Sequence, residues 1–169
     1  QMIEKVIQKG QQAIVLVPEI SLTPQMVERF LSRFGEKVSV THSRLNYGER
    51  YDQWKKARDK EISIIIGPRS ALFMPFENLG IIIIDEEHES SYRSDITPKY
   101  DARDVAEQMS RMTDCLLLMG SATPDLVTYY KAIKGEYTLL KLKNRTKGSH
   151  LPHVTITDMR QELEQGNRS

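Results

Sequence analysis

Residues 79–88 read Leu-Gly-Ile-Ile-Ile-Ile-Asp-Glu-Glu-His, an apolar run that ends abruptly in acidic residues and a histidine. Consecutive β-branched isoleucines favour a strand that is buried on both faces of a parallel sheet. The run is too short to cross a membrane as a helix. Because open α/β sheets bind their ligands at the carboxyl ends of the strands, Asp85, Glu86 and His88 become candidate site residues.

The rest of the chain alternates between apolar runs and segments whose apolar residues recur with helical spacing. Strands are predicted at residues 12–18, 37–41, 62–67, 81–85 and 116–119, with an edge strand at 138–142. Helices are predicted at residues 2–9, 24–34, 47–58 and 101–112. This alternation predicts an α/β fold in which a mostly parallel sheet carries helices on both faces.

Two strand-to-helix turns have recognisable capping residues. Thr23 is placed to cap a helix that starts at Pro24, and Gly35 is placed to end it. In the stretch at 119–124, Gly120 allows a close backbone approach, Thr123 is the expected N-cap, and Pro124 suits the first helical position. The helix at 101–112 is expected to bury one face, formed by Ala102, Val105, Ala106, Met109 and Met112.

The composition is that of an ordinary globular domain, with 39% hydrophobic and 28% charged residues in a chain of 169. Lys and Arg number 24 against 23 Asp and Glu, so the net charge neither supports nor excludes a nucleic-acid partner. The single cysteine, Cys115, lies in an apolar run and predicts a small buried residue, not a nucleophile or a metal ligand. No signal peptide and no long apolar segment is present, so we expect a cytoplasmic location and no membrane partner.

The stretch that ends in Asp-Glu-Glu-His and the Ser-Ala-Thr stretch that follows about 30 residues later resemble motifs II and III of superfamily 2 helicases. Further stretches, in the same order along the chain, resemble the primosomal protein N′ (PriA) family of replication-restart helicases. They lie at residues 17–25, 41–43, 67–73, 85–92, 100–104 and 120–124.

This resemblance implies a RecA-like helicase motor domain and an ATP-dependent 3′→5′ DNA helicase that acts in primosome assembly and in the restart of stalled replication forks. It implies ATP and Mg²⁺ as cofactors. The implied partners are single-stranded and forked DNA, other primosome proteins and single-strand-binding proteins. A structural zinc module would lie outside this chain, which has one cysteine.

The resemblance also assigns roles at the two motifs. Asp85 is expected to hold Mg²⁺ through water, because that ion keeps most of its hydration shell. Glu86 is expected to orient and deprotonate the attacking water. The family pattern favours His88 as a coupling residue that hydrogen-bonds toward Ser121 or the second motor domain. Ser121 and Thr123 are expected to relay between the nucleotide site and DNA.

DNA contacts are expected from three kinds of segment. The helix start at Pro24 offers free N–H groups to a phosphate, and a guanidinium beside a hydroxyl after the strand at 62–67 suits a phosphate. Tyrosines and cations in the loop at 90–100 suit stacked bases, although residues 95–97 depart from the family pattern, where a tryptophan is often found. The expected DNA-binding residues are Ser21, Thr23, His42, Ser43, Arg69, Ser70, Tyr92, Arg93 and Tyr100.

One family feature is missing from the sequence. Motor domains of this family begin with a phosphate-binding G-x-x-x-x-G-K-[ST] loop, and no glycine of this chain is followed by lysine. We therefore expect residues 1–143 to be part of the first motor domain, lacking its N-terminal strand and phosphate loop. Residues 144–169 are expected to be a linker and the start of the second motor domain, partly disordered. The chain alone is expected to be catalytically inactive.

Two other classes of function fit parts of the pattern. A metal-dependent hydrolase built on Asp85, His88, Glu89 and His42 would bind a transition metal stoichiometrically and would act without nucleotide. A DNA- or protein-binding module would recognise a partner and hydrolyse nothing.

Overall fold

The computed structural model describes residues 1–142 and Arg160. They belong to two compact units, Gln1–Lys131 and Ala132–Ser169. In the second unit, the strand expected at residues 138–142 is wrong, because those residues form no strand. The described part of that unit contains the last turn of a helix and a turn in which Gly135 has a φ of 83°. Apart from Arg160, the residues of the linker and second-domain predictions, 144–169, lie outside the described residues.

The first unit is built on a parallel sheet of five strands in the order β2-β3-β1-β4-β5. The strands are β1 (Gln12–Leu16), β2 (Val38–Val40), β3 (Ile64–Gly67), β4 (Leu79–Ile84) and β5 (Leu116–Met119). In register, Leu16 lies opposite both Gly67 and Ile84, and Ile84 lies opposite Met119. The carboxyl ends of the four strands β3, β1, β4 and β5 therefore meet along one edge, and the residues that follow them are neighbours.

Helices and short 3₁₀ turns connect the strands. The helices are α1 (Met2–Gln8), α2 (Pro24–Phe34), α3 (Tyr47–Arg58), α4 (Ala102–Thr113) and α5 (Leu126–Ile133). The 3₁₀ turns are Glu19–Ser21, Gly35–Lys37, Arg69–Phe73 and Ser90–Tyr92. No helix in the described part of the chain is long and apolar enough to cross a membrane.

The isoleucine strand is buried on both sides, as the sequence predicts. Ile82 and Ile84 pack in a cluster with Ala102 and Ala106 of α4. Ile81 packs in a separate cluster on the opposite face, which also contains residues of α1 and α2. Successive side chains of a strand point to opposite faces, so an uninterrupted apolar run is required where helices cover both sides. The predicted α/β fold with a parallel sheet and two helical layers is confirmed.

Local signals set most helix ends correctly. The Thr23 hydroxyl accepts a hydrogen bond from the Met26 N–H at 3.3 Å, with Pro24 in the first turn. Gly35 ends α2 with a φ of 59°, a conformation that glycine adopts without steric cost.

Two helix predictions are wrong. Helix α5 begins at Leu126, and the Asp125 carboxylate, not Thr123, accepts the Val127 N–H at 2.9 Å. Met112, expected on the buried face of α4, is 84% exposed.

Candidate functional site

The turns after β4 and β5 are joined by backbone hydrogen bonds beyond the ends of the strands. Gly120 donates to the Ile84 carbonyl at 2.8 Å, and Glu87 donates back to the Gly120 carbonyl at 3.0 Å. On the other side, Asp85 donates to the Leu16 carbonyl at 2.9 Å. The two motifs predicted from sequence are therefore in direct contact, although about 30 residues separate them along the chain.

The acidic turn has an unusual backbone. Glu86 has a φ of 46°, which is uncommon for a residue with a side chain. The turn is held by two short-range hydrogen bonds, from the Glu86 N–H to Asp85 Oδ1 at 3.1 Å and from the Glu89 N–H to the Glu86 carbonyl at 2.9 Å. Asp85 is exposed and the Glu86 side chain is 43% exposed, so both carboxylates are open to a ligand at the edge of the sheet.

His88 reaches across to the second motif. Its Nδ1 lies 2.7 Å from the Ser121 hydroxyl, and that hydroxyl also accepts the Thr123 N–H at 3.0 Å. His88 Nδ1 is 3.6 Å from the Glu86 carboxylate. The structure thus brings His88 and Ser121 together, whereas Thr123 takes part through its backbone. This contact links the acidic turn to the turn after β5.

Tyr92 does not present its ring to solvent. It is 1% exposed, and its hydroxyl donates to the Asp85 carbonyl at 2.6 Å. Burial, helped by the nearby carboxylates of Asp85, Glu89 and Glu86, raises the pKa of the Tyr92 hydroxyl well above its ordinary value, so it stays a donor. The expectation that Tyr92 stacks on a base is corrected by this burial.

A buried ionic network lies behind the acidic turn, and the sequence reasoning did not identify it as part of the site. The Arg103 guanidinium forms a fork on the Asp101 carboxylate, with distances of 2.9 Å from Nε and 2.6 Å from Nη2. Burial alone would raise the pKa of Asp101, but the hydrogen bonds from Arg103 and Arg93 outweigh it and hold that pKa below its ordinary value. Glu87, the third acid of the turn, is 1% exposed and belongs to the same network.

A groove of about 420 Å³ opens beside the site, at the carboxyl ends of β1, β2 and β3. The predicted DNA-binding residues that line it are His42, Ser43, Arg69, Ser70 and Tyr92. A hydrogen bond joins two residues of its wall, because the Glu19 carboxylate accepts the Ser43 N–H at 2.7 Å. That contact with Ser43 is the main reason why the pKa of Glu19 lies below its ordinary value.

Arg69 lines this groove, whereas Arg93 and Tyr100 do not. Arg69 donates through Nη1 to the carbonyls of Ser91 and Arg93, at 2.7 and 3.0 Å, and so holds the loop at 90–100. Arg93 pairs with Asp101 at 3.1 Å. Tyr100 packs edge-on against Phe73, with ring centroids 5.4 Å apart.

Ser21 and Thr23 do not line the groove. Ser21 is half-buried in the 3₁₀ turn before α2, and the Thr23 hydroxyl is used in capping that helix.

The side chains at this edge of the sheet suit the magnesium-binding part of a nucleotide site, but not its phosphate-binding part. Asp85 offers an exposed carboxylate of the kind that holds a hydrated Mg²⁺. A loop of consecutive free backbone N–H groups with a lysine, which binds triphosphates, has no counterpart in the sequence. Within residues 1–142, no three His, Cys, Asp or Glu residues are grouped so as to hold a metal ion.

The chain matches a known helicase family and is similar in sequence to known proteins. The family model described as DEAD/DEAH box helicase matches residues 1–131. Curated proteins named Replication restart protein PriA are similar over nearly the whole chain: 56% identical over 100% of it in Bacillus subtilis, 48% over 95% in Synechocystis sp., and 46% over 97% in Chlamydia trachomatis. The chain spans 21%, 20% and 22% of the length of these three relatives. The resemblance to the PriA family that the motifs predict is confirmed.

Proposed function

We propose, from the premise that the chain belongs to the family of DEAD/DEAH box helicases, that it forms part of the first motor domain of a replication-restart DNA helicase. The observation that carries this proposal is the contact between the two turns at the sheet edge, with His88 of one at 2.7 Å from Ser121 of the other. The similarity to PriA proteins supports replication restart as the process. We take residues 1–143 as the part that belongs to this motor domain.

In the full-length protein, the proposed activity is ATP hydrolysis coupled to 3′→5′ movement on DNA. Bound Mg²⁺ would neutralise phosphate charge. Asp85, exposed at the end of β4, would hold that ion through water. Glu86 would orient the attacking water and take its proton. His88 and Ser121 would report the state of this turn to the rest of the motor through their hydrogen bond.

The proposed DNA track is the groove at the ends of β1 to β3. It combines a cation, hydroxyls and a half-buried histidine, in Arg69, Ser43, Ser70 and His42. A motor that advances over any sequence needs contacts to the backbone and not to base edges. Single-stranded and forked DNA are the proposed substrates, with primosome and single-strand-binding proteins as partners. Action on DNA would place the protein in the cytoplasm.

For the chain alone, we predict no measurable ATP hydrolysis with or without single-stranded DNA. Asp85 and Glu86 lie at the sheet edge, but the sequence offers no phosphate-binding loop to hold a triphosphate against them. The measurement is steady-state phosphate release, compared with a Glu86→Gln sample prepared in the same way. Release above that of the Glu86→Gln sample would show that the phosphate loop is dispensable, and the role given to it here would be wrong.

The DNA track is tested by Arg69→Ala in the full-length protein. We expect single-stranded DNA binding to weaken about equally for different sequences, and the salt dependence of binding to become shallower by roughly one ion. Arg69→Lys keeps the charge but replaces the guanidinium, whose Nη1 donates to the carbonyls of Ser91 and Arg93, with a shorter side chain. If the charge acts on DNA, Arg69→Lys keeps the salt slope of the unmodified protein.

The control for this experiment is Arg33→Ala, which removes an exposed arginine that pairs with Glu4 on the surface. It is expected to leave DNA binding unchanged. Unchanged affinity and salt slope in Arg69→Ala would instead assign Arg69 to holding the loop at 90–100 and would move the DNA track elsewhere. A decrease that is equal in Arg69→Ala and Arg69→Lys would lead to the same conclusion, because it would point to the loop and not to charge.

A further inference from the structure

Arg103 is a buried arginine whose three nitrogens all meet oxygen atoms. Its side chain is 10% exposed, and the fork formed by Nε and Nη2 binds the Asp101 carboxylate at the start of α4. The third nitrogen, Nη1, donates to the Glu87 carbonyl at 3.0 Å and lies 3.5 Å from the Asp125 carboxylate. One side chain thus binds α4, the acidic turn and the residue before α5. A buried guanidinium is stable only when it is satisfied in this way.

Every polar group of Glu87, in its backbone and in its side chain, has a hydrogen-bond partner. Its N–H donates to the Gly120 carbonyl at 3.0 Å, and its carbonyl accepts from Arg103. Its carboxylate accepts the Asp125 N–H at 2.7 Å and the Thr128 hydroxyl at 3.0 Å. The side chain is 2% exposed, so these bonds form away from water, where they are stronger and where an unmatched group costs more.

Glu87 stands between two residues of the proposed ATPase site. Glu86 precedes it in a left-handed conformation with a φ of 46°, and His88 follows it and reaches Ser121. A residue stays in a sparsely populated backbone conformation only when the contacts around it hold it there. The bonds to Glu87 supply those contacts on one side of the turn, and the Tyr92 hydroxyl bonded to the Asp85 carbonyl supplies them on the other.

We propose that Arg103 and Glu87 are positioning residues that fix the direction of the Glu86 and His88 side chains and tie the acidic turn to the start of α5. This inference rests on the proposed function, because it concerns the reaction assigned to Glu86. Both residues are buried, so neither is placed to contact a nucleotide directly. Arg103 acts through Glu87, and Glu87 acts through the backbone of its two neighbours and through the Asp125 N–H.

The test uses Arg103→Met, Arg103→Lys and Glu87→Gln in the full-length protein, at saturating DNA. We expect Arg103→Met to lower kcat by about 10–100-fold while KM for ATP changes less than about threefold, since a displacement near 1 Å at a catalytic group costs that much in rate. Arg103→Lys should lie between Arg103→Met and the unmodified protein, because lysine keeps the charge but not the fork. Arg111→Met, which removes a surface pair with Glu107 on the same helix, is the matched control and should leave kcat unchanged.

A double-mutant cycle separates positioning from a general loss of stability. If Arg103 acts through Glu87, the combination of Arg103→Met with Glu87→Gln should lower kcat no more than the stronger single variant does. Thermal unfolding shows which variants are folded. Should Arg103→Met not fold, Arg103→Lys and Glu87→Gln form the cycle. A folded Arg103→Met protein with kcat within about twofold of the unmodified protein, or additive effects in the cycle, would overturn the proposal.

Hydrogen exchange keeps this inference separate from the proposed function. In Arg103→Lys, the amides of Glu87 and Asp125 should exchange faster, while amides of β1 keep their protection. If the unmodified full-length protein shows no ATP hydrolysis, the proposed function fails, and faster exchange at those two amides still supports the positioning role. Exchange that is unchanged at Glu87 and Asp125, or raised equally throughout the sheet, would refute that role.

Discussion

Glu86→Gln in the full-length protein is expected to lower kcat for ATP hydrolysis by about 100-fold or more and to leave the Kd for ATP within about threefold. Glutamine has the size and shape of glutamate, so it should fit the same turn, where the side chain is 43% exposed. It cannot accept a proton from water. An interaction needed only in the transition state lowers kcat without weakening ATP binding.

Single-turnover hydrolysis and equilibrium binding of ATP, measured on the same preparations, check this expectation. Glu77→Gln is a matched control, because Glu77 is an exposed glutamate that pairs with Lys60 on the surface. Its kcat should equal that of the unmodified protein. A Glu86→Gln protein that hydrolyses ATP within about fivefold of the unmodified rate would remove Glu86 from the role of general base.

Gly67→Ala is expected to destabilise the fold by about 2–3 kcal/mol, the cost of forcing extra atoms into a close-packed region. A Cβ at this position would lie 2.4 Å from Thr41 Cγ2 and 2.7 Å from the Thr41 carbonyl oxygen. The threonine side chain could turn away, but its backbone cannot, because the Thr41 N–H is bonded to the Ile66 carbonyl at 2.8 Å. The carboxyl ends of β2 and β3 would therefore have to move apart. These two strand ends border the groove.

Thermal unfolding measures this effect, with an expected decrease in Tm of about 5–10 °C. The matched control is Gly48→Ala, in the first turn of α3, where the nearest atom to an added Cβ is Asn46 Oδ1 at 3.3 Å. Alanine is the better helix former, so this change should be close to neutral or slightly stabilising. Equal Tm values for Gly67→Ala and the unmodified protein would mean that the edge at β2 and β3 is looser than the close contact indicates.

The site was predictable where its residues follow strands directly. The acidic turn follows an apolar run, and parallel strands deliver their next residues to one edge, so the place of Asp85 and His88 at that edge follows from pattern. The contact between His88 and Ser121 was expected from the family resemblance. The support of that turn was not predictable in the same way. Glu87 meets Thr128, which is 41 residues away, and Arg103 meets Glu87, 16 residues away, so no local spacing connects them. The only local trace was the Asp-Ala-Arg spacing at Asp101, whose carboxylate forms the fork with Arg103.

By itself, the sequence determined that the sheet is parallel, the succession of strands and helices along residues 2–119, and the capped start of α2. These follow from interactions between near neighbours: β-branched runs, helical spacing, and the Thr23 hydroxyl that reaches Met26 three residues on. Only the tertiary structure decided that Tyr92 is buried and that Asp125 caps α5. It also decided that residues 138–142 form no strand. Tyr92 is buried in a cluster whose members come from distant parts of the chain, and the Asp125 N–H is held by Glu87, 38 residues away. A local pattern carries no information about such partners.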